Sequence, residues 1–297
     1  MAINKTRAEQ RKQAAEDLAD KLRLERKMHP GIKRIFRRMA DDLEANVLMT
    51  GGAQNAARYL PALNGLTTEQ YEDSKRVFAP QLFIQLEDEP EDGAIWTALL
   101  AIGAQSGLNS KSEILTVMKA DSTLRVNNFI EEGASSDASQ ITRTNVKDLD
   151  AAIAAAGVVL IDQLGREPTR GELAAESRKQ FLKHDLGRTS TIAATTTQNA
   201  AEGVKDINNN ILGNFRNGTG VLGTGLPQAD IEEHWDSILD TVTRISHAEA
   251  DGQRRENGTY TVQGQLLRYP GDTSLGATID NTINCRCASI FSYDEPS

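Results

Sequence analysis

Residues 31–52, GIKRIFRRMADDLEANVLMTGG, show most directly how the first half of this chain folds. The large apolar residues in this segment recur every three or four positions, which places them on one face of an α-helix. They are Ile32, Phe36, Met39, Leu43 and Val47. The Gly51-Gly52 pair predicts the end of the helix, because glycine readily adopts the backbone conformation that follows one. An apolar face of this length needs a cover, so we expect further helices to pack against it.

Working outward, three pairs of residues have the spacing of a capping box, in which side chains and backbone exchange hydrogen bonds at a helix start. They are Thr67 with Gln70, Ser110 with Glu113, and Thr169 with Glu172. We expect a helix to begin after each pair, and we expect Pro80 to stop or kink the first one. Residues 87–93, EDEPEDG, predict a surface loop because their charges repel one another and stay hydrated.

Residues 133–139, GASSDAS, are small and polar and lack apolar periodicity, as is typical of a linker. The sequence therefore predicts two domains, residues 1–135 and residues 140–293. The second domain begins with an alanine-rich helix at residues 149–164, and helical patterning continues through residues 188–203. The stretch 213–225 is rich in Gly and Asn, which predicts a loop.

Beyond that loop, short strands replace the helical pattern. Residues 259–267, TYTVQGQLL, place β-branched and aromatic residues around Gly264, which predicts a hairpin, and residues 287–293 predict a last strand. Helices followed by a few short strands indicate the α+β class. We therefore predict a predominantly helical α+β protein. It has a helical N-terminal half, followed by a second helical domain that ends in a small antiparallel β element.

Charge is distributed unevenly along the chain. Residues 1–38 contain twelve Lys and Arg against five Asp and Glu, a net charge of +7. The rest of the chain therefore carries −16, which gives the overall net charge of −9. Such a basic segment can bind an acidic protein surface or the phosphates of nucleic acid. The alternative is a solvated helix face without a partner. The first 35 residues contain no aromatic side chain, so we expect no base stacking and no sequence-specific reading of nucleic acid.

The composition argues against several classes of protein. The longest nearly uninterrupted apolar run, residues 151–161, is shorter than the roughly 18 residues of a membrane-spanning helix, and the charged N-terminus is unlike a signal peptide. The sequence shows no P-loop, dinucleotide-binding glycine pattern or Ser nucleophile elbow. We expect a protein made in a cytoplasm, without a membrane partner and without a catalytic site.

Chemically reactive side chains concentrate in the last sixty residues. The two cysteines of the chain, Cys285 and Cys287, lie one residue apart, so both face the same side of an extended segment. Together with His247 they offer the sulfur and nitrogen ligands that zinc prefers. The fourth ligand would come from one of four nearby residues in the sequence, namely Asp240, Asp251, Asp272 and His234.

A plainer interpretation is that both thiols are buried apolar groups, with Arg286 between them directed outward or toward a carboxylate. The chain has no C-x2-C pair, which favours this interpretation and predicts no bound cofactor. A disulfide between Cys285 and Cys287 is opposed by their short loop and by a reducing cytoplasm.

The residues Trp235, Asp240, Arg244 and His247 are separated by five, four and three positions, which is close to a helical repeat. On one helix, Asp240 and Arg244 would form an ion pair, and Arg244 could also reach Asp272. An enzymatic interpretation makes Asp240 or His247 a general base. We favour a polar network that locks a small domain, because buried charges persist only when they are paired. Two turns complete the pattern: Tyr269-Pro270-Gly271-Asp272 has type II chemistry, and Asn284 can form an Asx turn.

Taken in order, these residues resemble the signature of the phage Mu protein F-like family of minor head, or head morphogenesis, proteins. The matching positions are Trp235, Asp240, Arg244, His247, Gly252, Tyr269, Pro270, Gly271, Asp272, Asn284, Cys285, Arg286 and Cys287. The family's upstream helical R-x3-I-A-x-T segment is matched by Arg188, Ile192, Ala193 and Thr195, so the resemblance covers about residues 166–289. One departure is that Thr196 and Thr197 stand where the family usually has an acidic residue.

The resemblance implies a minor head protein of a tailed double-stranded DNA phage, acting in head assembly and in DNA packaging or ejection by binding, without catalysis. The implied partners are the portal protein and the major capsid or scaffold protein, and the charge distribution adds double-stranded DNA, bound through the basic N-terminus, as an expected partner. The implied location is inside the capsid near the portal vertex. The amphipathic helices of residues 1–135 are the expected docking region.

Two alternatives remain open from the residues themselves. One is a zinc-dependent hydrolase or nuclease in which His247, Cys285 and Cys287 hold the metal and Asp240 or His234 handles the water. The absence of a second His or a Glu at close spacing argues against it. The other is a structural protein that binds nucleic acid through its basic N-terminus.

Overall fold

The computed structural model describes residues 7–217 and 230–294, and helices dominate it. The helical elements before the C-terminal region are α1 (Arg7–Thr50), a 3-10 turn (Ala56–Tyr59), α2 (Leu60–Asp88), α3 (Ala94–Gln105), α4 (Lys111–Leu164) and α5 (Arg170–Asn217). The C-terminal elements are β1 (Asp230–Asp236), α6 (Ile245–Glu249), β2 (Tyr260–Val262), β3 (Gln265–Leu267), α7 (Ile279–Thr282) and β4 (Ala288–Asp294). Strand β1 pairs antiparallel with β4, and β2 pairs antiparallel with β3. The predicted, predominantly helical α+β class is confirmed.

The chain divides into two compact units that do not follow the predicted order. Unit 1 comprises Met1–Leu22, Glu72–Ile130 and Thr197–Ser297, and unit 2 comprises Arg23–Tyr71 and Glu131–Thr196. Each long helix, α1, α2, α4 and α5, contributes residues to both units. The division therefore differs from two consecutive domains at residues 1–135 and 140–293.

The linker predicted at residues 133–139 is wrong, because this segment lies inside α4. Ala134 and Ala138 are buried there. A Cβ atom on Gly133 would lie only 2.6 Å from the ring of Tyr71, so a larger residue would force that ring to move. The small side chains thus permit close packing within unit 2, and they do not mark a flexible connection.

The core of unit 2 is built on the predicted apolar face of α1. Ile32, Phe36, Leu43 and Val47 are buried in one cluster with residues of α2, α4 and α5. The ring of Phe36 lies 6.2 Å from that of Phe181 on α5. Burying each such side chain contributes about 1.5–3 kcal/mol. Helix α1 ends at Thr50 and Gly51 follows with φ of 80°, as predicted.

Two of the three predicted capping boxes are present. At the start of α5, the Glu172 N–H donates to Thr169 Oγ1 at 3.3 Å, and the Glu172 carboxylate accepts the Thr169 N–H at 2.7 Å. At the start of α4, the Glu113 N–H donates to Ser110 Oγ at 3.3 Å. Because these bonds satisfy backbone groups that the helix leaves unpaired, they fix where α4 and α5 begin.

The third capping box is wrong, because α2 already begins at Leu60 and contains Thr67 in its interior. Thr67 is buried, and its hydroxyl lies 2.9 Å from the carbonyl oxygen of Ala134. Pro80 also lies inside α2, so it does not stop the helix. The helix ends at Asp88, so Glu87 and Asp88 of the predicted loop belong to α2, and residues 89–93 lead to α3.

The C-terminal elements agree with the predicted hairpin and last strand. Strands β2 and β3 are joined by Gln263 and Gly264, which have φ of 51° and 74°. Positive φ at both positions is what a tight hairpin turn with right-handed strand twist requires. Of the predicted loop at residues 213–225, residues 213–217 belong to α5 and the rest lies outside the described residues. Throughout the described ranges, the helices lack an apolar stretch that could span a bilayer.

Candidate metal centre

The candidate site lies in unit 1, between β1, α6 and the segment that precedes β4. Trp235 of β1 is fully buried at its centre. The Trp235 ring makes edge contacts with His247 and with Tyr260, each at a centroid distance of 5.4 Å. Its Nε1 atom donates to Ser237 Oγ at 3.1 Å. This packing holds the imidazole of His247 in a defined orientation beside the two thiols.

His247, Cys285 and Cys287 come together, as the zinc hypothesis requires. The Nδ1 atom of His247 lies 3.4 Å from Cys287 Sγ and 3.7 Å from Cys285 Sγ. The three ligand atoms all lie within 4.8 Å of one another. The side chains are only 2%, 3% and 4% exposed, and both cysteines are free thiols. Since β4 begins at Ala288, both cysteines precede the strand in which the sequence placed Cys287.

The two thiols differ in their affinity for a proton. The pKa of Cys287 lies well below its ordinary value, because the hydrogen bond from Cys285 stabilises the thiolate and those from His247 and Ser237 add to it against the opposing effect of burial. The pKa of Cys285 lies well above its ordinary value, because its proton is held in that bond to Cys287 and because burial disfavours a second thiolate. Cys287 therefore loses its proton more readily than Cys285 does.

The four candidates for a fourth zinc ligand are engaged elsewhere. Asp240 pairs with Arg286 at 2.6 Å, and Asp251 accepts the Ser237 N–H at 2.9 Å. The other two are bound to backbone groups: Asp272 accepts the N–H groups of Arg268 and Ser274, and His234 Nδ1 lies 3.4 Å from Gly252 O. Among the described residues, the group of potential ligands thus consists of His247, Cys285 and Cys287.

The prediction that one helix carries Trp235, Asp240, Arg244 and His247 is wrong. Trp235 lies in β1, Asp240 lies in the turn that follows, and Arg244 is the residue before α6, which carries His247. The near-helical spacing is therefore produced by a strand, a turn and a short helix. Asp240 accordingly pairs with Arg286, as one interpretation of Arg286 anticipated, and the Arg244 guanidinium donates to the Ile283 carbonyl.

The remaining signature residues shape turns around this site. The Asp272 N–H donates to Tyr269 O at 3.0 Å and Gly271 has φ of 95°, which agrees with the predicted type II turn after Pro270. Gly252 has φ of 79°, and its N–H donates to Trp235 O at 2.7 Å. Asn284 adopts φ of 50°, a conformation that Asn tolerates better than most residues do, and its Asx turn stays a prediction.

The sequence interpretation missed a polar face of α5 that supports the site. Gln198 Nε2 donates to Cys287 O at 2.8 Å and to Pro270 O at 3.0 Å. Four residues further on, Glu202 accepts the Ser289 N–H at 2.9 Å. The signal that could have revealed this face is the spacing of Gln198, Glu202 and Lys205, which is helical and polar in an otherwise small and apolar segment.

The upstream part of the family signature lies in the portion of α5 that belongs to unit 2. Arg188 forms an ion pair with Asp148, and Ala193 is buried in the core of unit 2. Thr196 and Thr197, the positions at which the sequence departs from the pattern it resembles, are buried as well.

No family model, curated protein or solved structure matches this chain.

Proposed function

We propose that this chain is a minor head protein of a tailed double-stranded DNA phage, which associates with the portal and acts in head assembly and in DNA packaging or ejection by binding. The support is the ordered series of signature positions between Trp235 and Cys287. The proposal is also supported by what these side chains do in the structure, where they pack in the core or pair with other groups. Trp235 and His247 are buried, Asp240 pairs with Arg286, and Arg244 binds a backbone carbonyl. They stabilise a fold, as expected of a binding protein.

A binding protein needs an accessible surface, and the predicted amphipathic face of α1 does not provide one. That face is covered within the chain, because it forms the core of unit 2. Unit 2 exposes a different set of apolar side chains near the ends of α1 and α4, namely Leu48, Met49, Val158, Ile161 and Leu164. Apolar side chains at the surface are available to pack against a partner protein. We assign the portal contact to these residues.

The proposal is tested by mixing the purified chain with the portal protein of the same genome and measuring sedimentation. We expect a complex. Val158 is 70% exposed, so Val158→Glu should leave the fold intact and weaken the complex, because it introduces a charge into an apolar contact. Gln163→Glu is the matched control, since it adds the same charge at an exposed position on the same helix. Failure to bind portal, scaffold or procapsids at any salt concentration would count against the proposal.

The hydrolase alternative relies on the same three buried residues. The pocket beside His247, Cys285 and Cys287 has a volume of about 20 Å³, which is enough for one water molecule. The three side chains are almost completely buried, which favours a bound ion over a reacting substrate. A phosphodiesterase assay checks this: activity in the purified chain that is lost in His247→Ala would favour the hydrolase.

A further inference from the structure

We propose that His247, Cys285 and Cys287 bind one zinc ion, whose fourth ligand is a water molecule. This inference is independent of the phage assignment, because it concerns the ligand atoms alone. Two sulfur atoms and one imidazole nitrogen form a soft to borderline donor set, which suits zinc and disfavours the oxygen-seeking Mg²⁺, Ca²⁺ and Mn²⁺ ions.

The separations of the donor atoms match a zinc tetrahedron. With Zn–S bonds of about 2.3 Å and Zn–N bonds of about 2.0–2.1 Å, tetrahedral geometry places sulfur and nitrogen about 3.5–3.6 Å apart. The distances from His247 Nδ1 to the Cys287 and Cys285 sulfurs are 3.4 Å and 3.7 Å. These two distances differ from the zinc values by only one or two tenths of an ångström, and all three ligand atoms lie within 4.8 Å of one another.

The fourth position has room for water and lacks a protein ligand among the described residues. The cavity of about 20 Å³ is lined by all three ligands, and also by Thr243, Asn284 and Arg286. A cavity of roughly 10–15 Å³ or more can hold a water molecule when polar groups are near. The acidic residues close to the site in the sequence are occupied, since Asp240 pairs with Arg286 and Asp251 binds the Ser237 N–H.

The bound ion would join parts of unit 1 that are distant in sequence. His247 is separated from Cys285 by 38 residues and from Cys287 by 40. It lies on α6, whereas the cysteines directly precede β4, the strand that pairs with β1. Closing a loop of this length reduces the conformational entropy of the unfolded chain. The free energy of zinc binding then adds to the free energy of unfolding. The ion would thus link α6 to the segment before β4 and stabilise unit 1.

The first experiment measures zinc in the full-length chain, purified without added metal. We expect one equivalent by elemental analysis. Loss of an outer-shell partner lowers metal affinity about 10–100-fold. We expect a larger decrease in zinc affinity for each of the variants Cys285→Ser, Cys287→Ser and His247→Gln, because each removes a ligand. Val262→Ala is the control, because it shortens a side chain in the same apolar cluster without removing a ligand, and it should retain the metal. Absence of zinc after reconstitution, or unchanged zinc in all three ligand variants, would overturn the proposal.

A second experiment uses the wild-type chain alone, so it is decisive even if the variants do not fold. The protein has two cysteines. Titration with a mercurial thiol reagent should therefore release one zinc per two thiols. Cobalt substituted for zinc should show thiolate-to-cobalt charge transfer and the intense visible bands of a tetrahedral site. Zinc release that is unrelated to thiol modification, or a cobalt spectrum without sulfur charge transfer, would show that the metal is bound elsewhere.

Discussion

Lys21 of α1 lies 2.6 Å from Glu202 of α5, and both side chains are almost completely buried in unit 1. Lys21 also donates to Cys287 O at 3.2 Å, while Glu202 accepts the Ser289 N–H at 2.9 Å. Lys205 completes the network through Asp17 at 2.7 Å. Lys21, one of the twelve cations in the basic N-terminal segment, is therefore part of the core that supports the segment containing Cys285 and Cys287.

Replacing Lys21 by Met should destabilise the protein by about 3 kcal/mol, because it leaves the buried Glu202 with Lys205 as its remaining cation. Lys12→Met on the same helix is the matched control. Lys12 and Glu16 are 78% and 60% exposed, so removing that pair should change stability by less than about 0.5 kcal/mol. Urea unfolding of both variants measures the difference. Equal effects would mean that the Lys21–Glu202 pair is not buried in solution.

The capping box of α5 should make its first turn sensitive to acid. Hydrogen bonds from Arg166, and then from the Thr169 backbone, lower the pKa of Glu172 to about 2 from 4.5. Since the folded pKa is below the unfolded value, the stabilisation is complete above pH 4.5 and is lost as the pH falls through about 2. Thermal unfolding of the wild type and of Glu172→Gln should differ above pH 4.5 and converge near pH 2. A constant difference across this range would contradict the assignment.

Two helical glycines should respond to alanine with opposite signs. A Cβ atom on Gly203 would overlap the Phe129 ring, so Gly203→Ala should destabilise by about 1–3 kcal/mol through overpacking. Gly157 has no neighbouring atom within 4 Å of such a Cβ, so Gly157→Ala should stabilise by about 0.5–1 kcal/mol. Circular dichroism melting curves compare the two directly. Shifts of the same sign would contradict the packing of Gly203 against Phe129.

DNA binding through the N-terminal region is best tested on the surface of α1. Deleting residues 1–38 would remove Ile32 and Phe36 from the core of unit 2, so it would not isolate the charge. The triple substitution of Arg26, Arg34 and Arg37 by Gln affects exposed side chains. It should weaken DNA binding and reduce the salt dependence of the affinity by about 0.9 in slope for each phosphate that the protein no longer neutralises.

The control for this experiment removes three exposed cations from other helices, by the substitutions Arg143→Gln, Lys147→Gln and Lys183→Gln. Fluorescence anisotropy over a salt series provides both slopes. If the two triple variants behave alike, the exposed cations of α1 form a solvated helix face, which is the alternative that the sequence also allowed.

The parts of the fold that the sequence predicted are those with a strong periodic signal. Ile32, Phe36 and Val47 repeat at helical spacing because one face of α1 is buried, and Thr169 with Glu172 forms a local capping pattern. The linker prediction at residues 133–139 failed because small residues suit a flexible segment and a close helix contact equally well. Only the neighbouring Tyr71 ring, which is distant in sequence, decides between them.

The sequence likewise predicted only part of the candidate site. Residue types were sufficient to select His247, Cys285 and Cys287, because few other side chains in the chain offer soft ligands. They were not sufficient to find Gln198, whose amide binds the carbonyl oxygens of Cys287 and Pro270. Every residue has a backbone carbonyl, so a bond to one leaves no mark in the sequence of the acceptor.

Unit 1 is built from three separate stretches of chain, which affects the order in which the two units can fold during translation. All residues of unit 2 have been translated by Thr196, whereas unit 1 also needs Thr197–Ser297. The bond from Lys21 to Cys287 joins residues 266 positions apart. While a ribosome is still extending the chain, unit 2 can acquire its core. The first turns of α1 can pack in unit 1 only after the segment that contains Cys285 and Cys287, and strand β4, have been synthesised.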